Sequence, residues 1–242
     1  MKNRNIIFRI ILCVLVCFAV LPKARAVSPA PDGCYPNFTT AEGCDALNSL
    51  TTGAGNTGLG WRSLFLDSTG SFNTGVGGGA LALNNGDSNT AVGAAALLLN
   101  TSGTENTAIG TDALVFNDMG VQNNAFGAFA LFNNTGGNGN TANGVQALYS
   151  NTTGDANTAS GFFALLNNTV GIDNTAEGVD ALVNNTEGNG NTGIGFEVLD
   201  ANDTGSDNTA IGTIAISQNA SGSDNTDIGL THGHHNTTPT TI

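Results

Sequence analysis

A seventeen-residue unit recurs through most of this chain and leaves room for very few folds. One copy reads Asn106-Thr107-Ala108-Ile109-Gly110, continues through Ala113-Leu114 and closes at Gly120. Copies open at Thr39, Asn56, Asn73, Asn89, Asn106, Asn123, Asn140, Asn157, Asn174, Asn191, Asn208 and Asn225, with a single sixteen-residue step between Asn73 and Asn89. A fixed short period signals a quasi-one-dimensional array, for which domain counting by length does not apply. Gly makes up 34 of 242 residues and charged residues only 10%, which in an aperiodic chain would read as low complexity; the regular spacing argues for order.

A unit this short cannot hold two packed helices, and its two fixed glycines would break a helix in every copy. Two short strands joined by two turns do fit. Asn-Thr-Ala-x-Gly supplies one, Ala-Leu-x-x the other, and Asn117 to Gly120 marks a turn. Stacked coils set each strand beside its counterpart, so the prediction is an all-β chain, a parallel β-solenoid or β-roll of about twelve coils with two short strands per coil. At a spacing of about 4.8 Å the rod is roughly 55 Å long.

Strand alternation assigns faces. The third position, Ala or Gly until Asp227, and the fifth, always Gly, are expected to point inward, where a thin interior admits nothing larger. The ninth position supplies the apolar filling, Leu from Leu47 to Leu199 and then Ile216. The Asn residues that open the copies (Asn56, Asn73, Asn89, Asn106, Asn123, Asn140, Asn157, Asn174, Asn191, Asn208 and Asn225) are expected to form a turn ladder, each amide bonding backbone or the next Asn. The second and fourth positions project together on the outside. They give a Thr column beside Ile109, Phe126, Ile194, Ile211 and Ile228, the candidate interaction face, which Asn143, Ser160 and Glu177 interrupt.

The ends differ from the array. Lys2, Arg4 and Arg9, an apolar run from Ile10 to Leu21 and then Ala24-Arg25-Ala26 have the pattern of a cleaved secretory signal peptide over residues 1–26. Residues 27–38, with Pro29, Pro31 and Pro36, read as a cap that blunts the sheet edge. The solenoid then occupies residues 39–229, and residues 230–242 form a tail. Without the leader Arg62 is the one basic side chain against 19 acidic ones, which excludes nucleic acid and anionic membranes as natural partners. Cys34 and Cys44 are the two cysteines left in an oxidising compartment; a disulfide between them is the default expectation, with an intermolecular bridge as the alternative. No integral membrane segment is expected once the leader is removed.

No enzyme is expected, because catalysis needs groups that occur once and the repeat multiplies most polar residues. Arg62, Trp61, Tyr35, Tyr149 and the tail histidines His232, His234 and His235 escape it, and they form no triad, carboxylate pair or phosphate loop. Neither a cofactor nor a metal site is expected: the histidines lack an acidic or cysteine partner, and turns such as Gly205-Ser206-Asp207 lack the nonapeptide of calcium-binding solenoids. Asn37, Asn100, Asn133, Asn151, Asn167, Asn184, Asn202, Asn219 and Asn236 each begin an Asn-x-Ser/Thr triplet, which would coat one edge with sugar in a glycosylating host.

Copies such as Asn89-Thr90-Ala91-Val92-Gly93, Asn106 to Leu114 and Asn208 to Ile216 resemble the head repeats of YadA-like trimeric autotransporter adhesins. They look closer still to the longer Asn-Thr-Ala-x-Gly repeats of bacterial surface and tail-fibre-like proteins. The resemblance covers about residues 39 to 229 and implies a parallel β-roll, often trimeric, used for surface attachment. The period departs from the shorter adhesin-head period, and no barrel or coiled-coil stalk follows.

The leading functional expectation is therefore a secreted or cell-surface structural, adhesin-like repeat protein. It would present a long repetitive β-face to a host or environmental surface, or to neighbouring copies of itself, including a homotrimer. The alternatives are an ice-binding protein that uses the Thr column, and a fibre segment of a larger surface assembly. Because folding accounts for the fixed Asn, Ala, Gly and Leu, function is expected at the fourth and tenth positions and in the turn before each Asn.

Overall fold

A computed structural model describes residues 36–230 of the chain. The leader, nearly all of the cap, Cys34, Asn236 and the tail histidines lie outside the described residues. Twelve three-residue strands, from β1 (Thr40–Glu42) through β6 (Asn124–Phe126) to β12 (Thr226–Ile228), pair in sequence order in one parallel sheet. Every strand meets the next in repeat register, as in Thr107↔Asn124, Ala108↔Ala125 and Ile109↔Phe126. The register follows from the period: each coil ends one strand spacing above its own start, so equal positions stack. Coils are numbered here from one, beginning at Thr39, to twelve, beginning at Asn225.

The interior is thin. Ala108 in the third position, Ala113 in the eighth and Leu114 in the ninth are fully buried, and their equivalents form one continuous core column from Leu64 to Ile216. Volume is traded within a coil. Coil ten carries Val198 where the other coils have Ala, or Ser63 in coil two, and the facing third position is Gly193, at which an added Cβ would lie 3.1 Å from the valine Cγ1.

The second expected strand is absent. The Ala-Leu segment runs as consecutive turns, and its ninth residue holds a left-handed φ between 48° and 54° in every coil, from Leu47 to Ile216. Positive φ at the fifth, seventh and ninth positions curls the chain around the core rather than extending it. Its backbone groups still bond between coils. Gly110 and Asp112 donate N–H to the carbonyls of Val92 and Ala94 below, and Leu114 and Phe116 donate to Ala130 and Phe132 above, at 2.9–3.1 Å. Stacking supplies the sheet-like hydrogen bonds that the missing strand would have made.

The fifth-position glycine also has a different cause from the one expected. Its absent Cβ would point along the stack, not into the interior: at Gly110 (φ 144°) it would run into the carbonyl of Gly127, and at Gly43 it would lie 2.7 Å from that of Gly60. Close coil-to-coil approach and positive φ, rather than core thickness, exclude every other residue here.

Candidate functional site

The outer face of the sheet is the first candidate. Strand residues alternate, so Thr107 is half-buried, Ala108 is buried and Ile109 is 40% exposed. Phe126, Ile211 and Ile228 are likewise exposed and Ile194 is half-buried, all in one column that also includes Val92. Asn143, Ser160 and Glu177 stand in the same column through coils seven to nine and divide it into two apolar halves.

The Asn residues that open the coils are buried, and within the stack they are fully engaged. Asn140 donates from Nδ2 to Asn123 Oδ1 (3.1 Å) and to the Gly154 carbonyl (2.8 Å), and its backbone N–H donates to the same Asn123 oxygen (3.0 Å). Its own Oδ1 accepts both the backbone N–H and the Nδ2 of Asn157. No donor is left for a ligand.

A second buried ladder, which the repeat did not disclose, runs through the twelfth position: Asn84, Asn100, Asn117, Asn134, Asn151, Asn168, Asn185, Asn202 and Asn219. Asn117 Nδ2 donates to Asn100 Oδ1 at 2.7 Å and to the Gly120 carbonyl at 3.0 Å, which also accepts from Asn106. The signal was in the unit, since Asn at the twelfth position is nearly as regular as Asn at the first. Spacing alone marks it as a turn residue and does not show that the turn folds its side chain inward.

Asp67 starts this ladder. Each amide donates downward, and below Asp67 the twelfth position is Leu50, which offers no acceptor. A carboxylate needs none. Asp67 accepts from Gly70 N (2.8 Å) and from the Nδ2 groups of Asn73 and Asn84 (3.2 Å each). Burial pushes its pKa above the ordinary 3.8, against the lowering pull of those three donors.

The twelfth-position ladder also divides the Asn-x-Ser/Thr triplets. Asn100, Asn151, Asn202 and Asn219 are ladder members and buried, whereas Asn133, Asn167 and Asn184, one position earlier, reach the surface, as does Asn37. Cys44 is exposed in coil one and carries no disulfide among the described residues. No group of three His, Cys, Asp or Glu able to hold a metal occurs among the described residues. Nor is any described helix long and apolar enough to cross a membrane.

A further surface lies on the curled segment, where the sixth, seventh, tenth and eleventh side chains share one flank. Trp61, Phe116, Phe162 and Phe196 are exposed on it. Phe132 packs against Phe116 (5.1 Å between centroids, edge to face) and stacks on Tyr149 (5.2 Å). The Arg62 guanidinium lies 4.9 Å from the Trp61 ring and 4.7 Å from Phe65, and pairs with Asp45 at 3.6 Å. Beside it a hollow of about 280 Å³ opens over Gly79, Ala82, Leu83 and Leu98.

No protein-family model matches the chain, and neither a curated protein nor a solved structure does.

Proposed function

We propose that this chain is an exported structural solenoid that works by attachment, presenting its strand face to a surface outside the cell. The supporting observation is the unbroken register of twelve strands, which aligns the second-position Thr residues along the rod and gathers the fourth-position apolar residues into two columns on either side of coils seven to nine. Saturated interior amides leave the fourth-position column and the flank as the surfaces able to engage a partner. Alkyl-coated and bare silica beads test the reading. The full chain is expected on the alkyl beads, and the combined variant Ile109→Asn, Phe126→Asn and Ile211→Asn is expected to lower retention about tenfold with an unchanged melt. Equal retention on both beads would remove it.

Ice binding is the second reading, favoured by the Thr-on-Thr pairing of neighbouring strands such as Thr192↔Thr209 and Thr209↔Thr226. Thermal hysteresis at millimolar protein would support it. Its absence would leave attachment.

A further inference from the structure

The curled flank varies along the rod in an ordered way. Coils three and four carry Gly78, Gly79, Ala94 and Ala95 at the sixth and seventh positions, which leaves the hollow beside Arg62. Coils eight and nine carry Phe162, Phe163, Val179 and Asp180 at the same positions, so the flank stands proud there. Arg62, the one basic side chain among the described residues, lies in coil two beside Asp45 of coil one; the flank's other charges are Asp112 in coil five, Asp180 in coil nine, and Glu197 and Asp200 together in coil ten. The small coils three and four and the bulky coils nine and eight, like Arg62 and the Glu197–Asp200 pair, stand at equal distances on either side of coil six, the coil of Phe129 and Phe132.

We infer that this flank docks a second copy of the chain, antiparallel, with a two-fold axis at coil six. Coil two of one copy then meets coil ten of the other, setting Arg62 against Glu197 and Asp200 twice over. Coils three and four receive coils nine and eight, so that Phe162 and Phe163 cover Ala94 and Ala95, while Val179 and Asp180 come over Gly78 and Gly79 beside the hollow. The aromatic cluster around Phe132 packs on its own copy at the axis, where an isologous interface places its most apolar patch. A parallel pairing does the opposite: it sets Arg62 beside Arg62 and the bulky coils against each other, leaving the small-residue coils uncovered. The ion pair with Asp45 is no obstacle, because both side chains are about half exposed and such pairs contribute little. The dimer leaves the strand face free, so it stands whether or not that face attaches to a surface.

Sedimentation equilibrium on the full chain, with spin-label distances, tests the assignment. A dimer is expected, and Arg62→Glu should weaken it at least about tenfold by setting like charges together twice. Adding Glu197→Arg to that variant should restore it to within about threefold. Gly78→Trp has open space within one chain, where an added Cβ meets nothing within 4 Å, so it should weaken the dimer without shifting the melt. Labels on Asn133 in coil six should lie close together, whereas labels on Gln218 in coil eleven should be about 48 Å apart along the rod, ten coil spacings. A monomer at all concentrations would overturn the inference. So would a dimer indifferent to both Arg62→Glu and Gly78→Trp, or one with equal distances at the two labelled sites.

Discussion

Gly193 and Val198 show how closely individual residues are fitted. Gly193→Ala sets a methyl at 3.1 Å from the valine and is expected to destabilise by about 1 kcal/mol, while adding Val198→Ala restores the ordinary Ala–Ala pair and recovers most of the loss. A denaturant melt of the two variants checks this. Left-handed residues make an opposite case. Ala156, exposed at φ 57°, occupies the position that is Gly139 and Gly190 in coils six and nine. Ala156→Gly relieves about 1–2 kcal/mol of backbone strain and costs about 0.5–1 in chain entropy, so Tm should hold or rise slightly, against the usual penalty for a new glycine. Asp67 sets a pH dependence. A carboxyl with a raised folded pKa holds its proton more tightly in the folded state, so its contribution to stability grows as pH falls through that pKa and is complete below the unfolded value of 3.8. Asp67→Asn places an amide where the other ladder coils have one. It removes the titrating group, so the parent should gain stability relative to the variant as pH falls from 7 toward 4. A constant gap across that range would show that Asp67 is not buried as described. At this scale the sequence disclosed which positions are fixed, and for the third and ninth it also disclosed why. It misattributed the fifth, because alternation describes an extended strand and the glycine φ near 140° turns its missing side chain up the stack.

Among elements, the three-residue strand was legible and the curled segment was not. A leucine at φ near 50° is unfavourable in isolation, and it persists in ten coils, with Ile216 in the next, because backbone bonds to neighbouring coils hold the segment, from above and below throughout the interior of the stack. That support exists only in the stack, so no property of a single seventeen-residue unit announces it. The twelfth-position ladder was hidden for the same reason. The sixteen-residue coil shows where the unit tolerates change: its ladder amide Asn84 Nδ2 reaches the Gly86 carbonyl at 2.8 Å across two residues, where other coils span three. Inserting one residue after Asn85 should therefore cost under about 1 kcal/mol in a urea melt. Asn140→Ala instead strands the Asn157 backbone N–H and one of its Nδ2 protons in the interior, and is expected to cost about 2–4 kcal/mol.

For the whole molecule, stability is a sum over neighbouring coils, so damage to one ladder step weakens the stack locally and divides the rod at that coil. The number of coils and their parallel stacking followed from the period, while the flank did not, since its residues fall outside both the strand and the ladder and share a surface only because the chain curls. The repeat's fixed asparagines are consumed by two internal amide ladders, which leaves the outer columns and the flank as the surfaces open to a partner. Side-chain amide hydrogen exchange followed by NMR tests this most directly. The Nδ2 protons of Asn140 and Asn151 should be protected together and far more slowly exchanging than those of the exposed Asn143 and Asn184. Exchange of all four at the rate of a solvated amide would contradict the account.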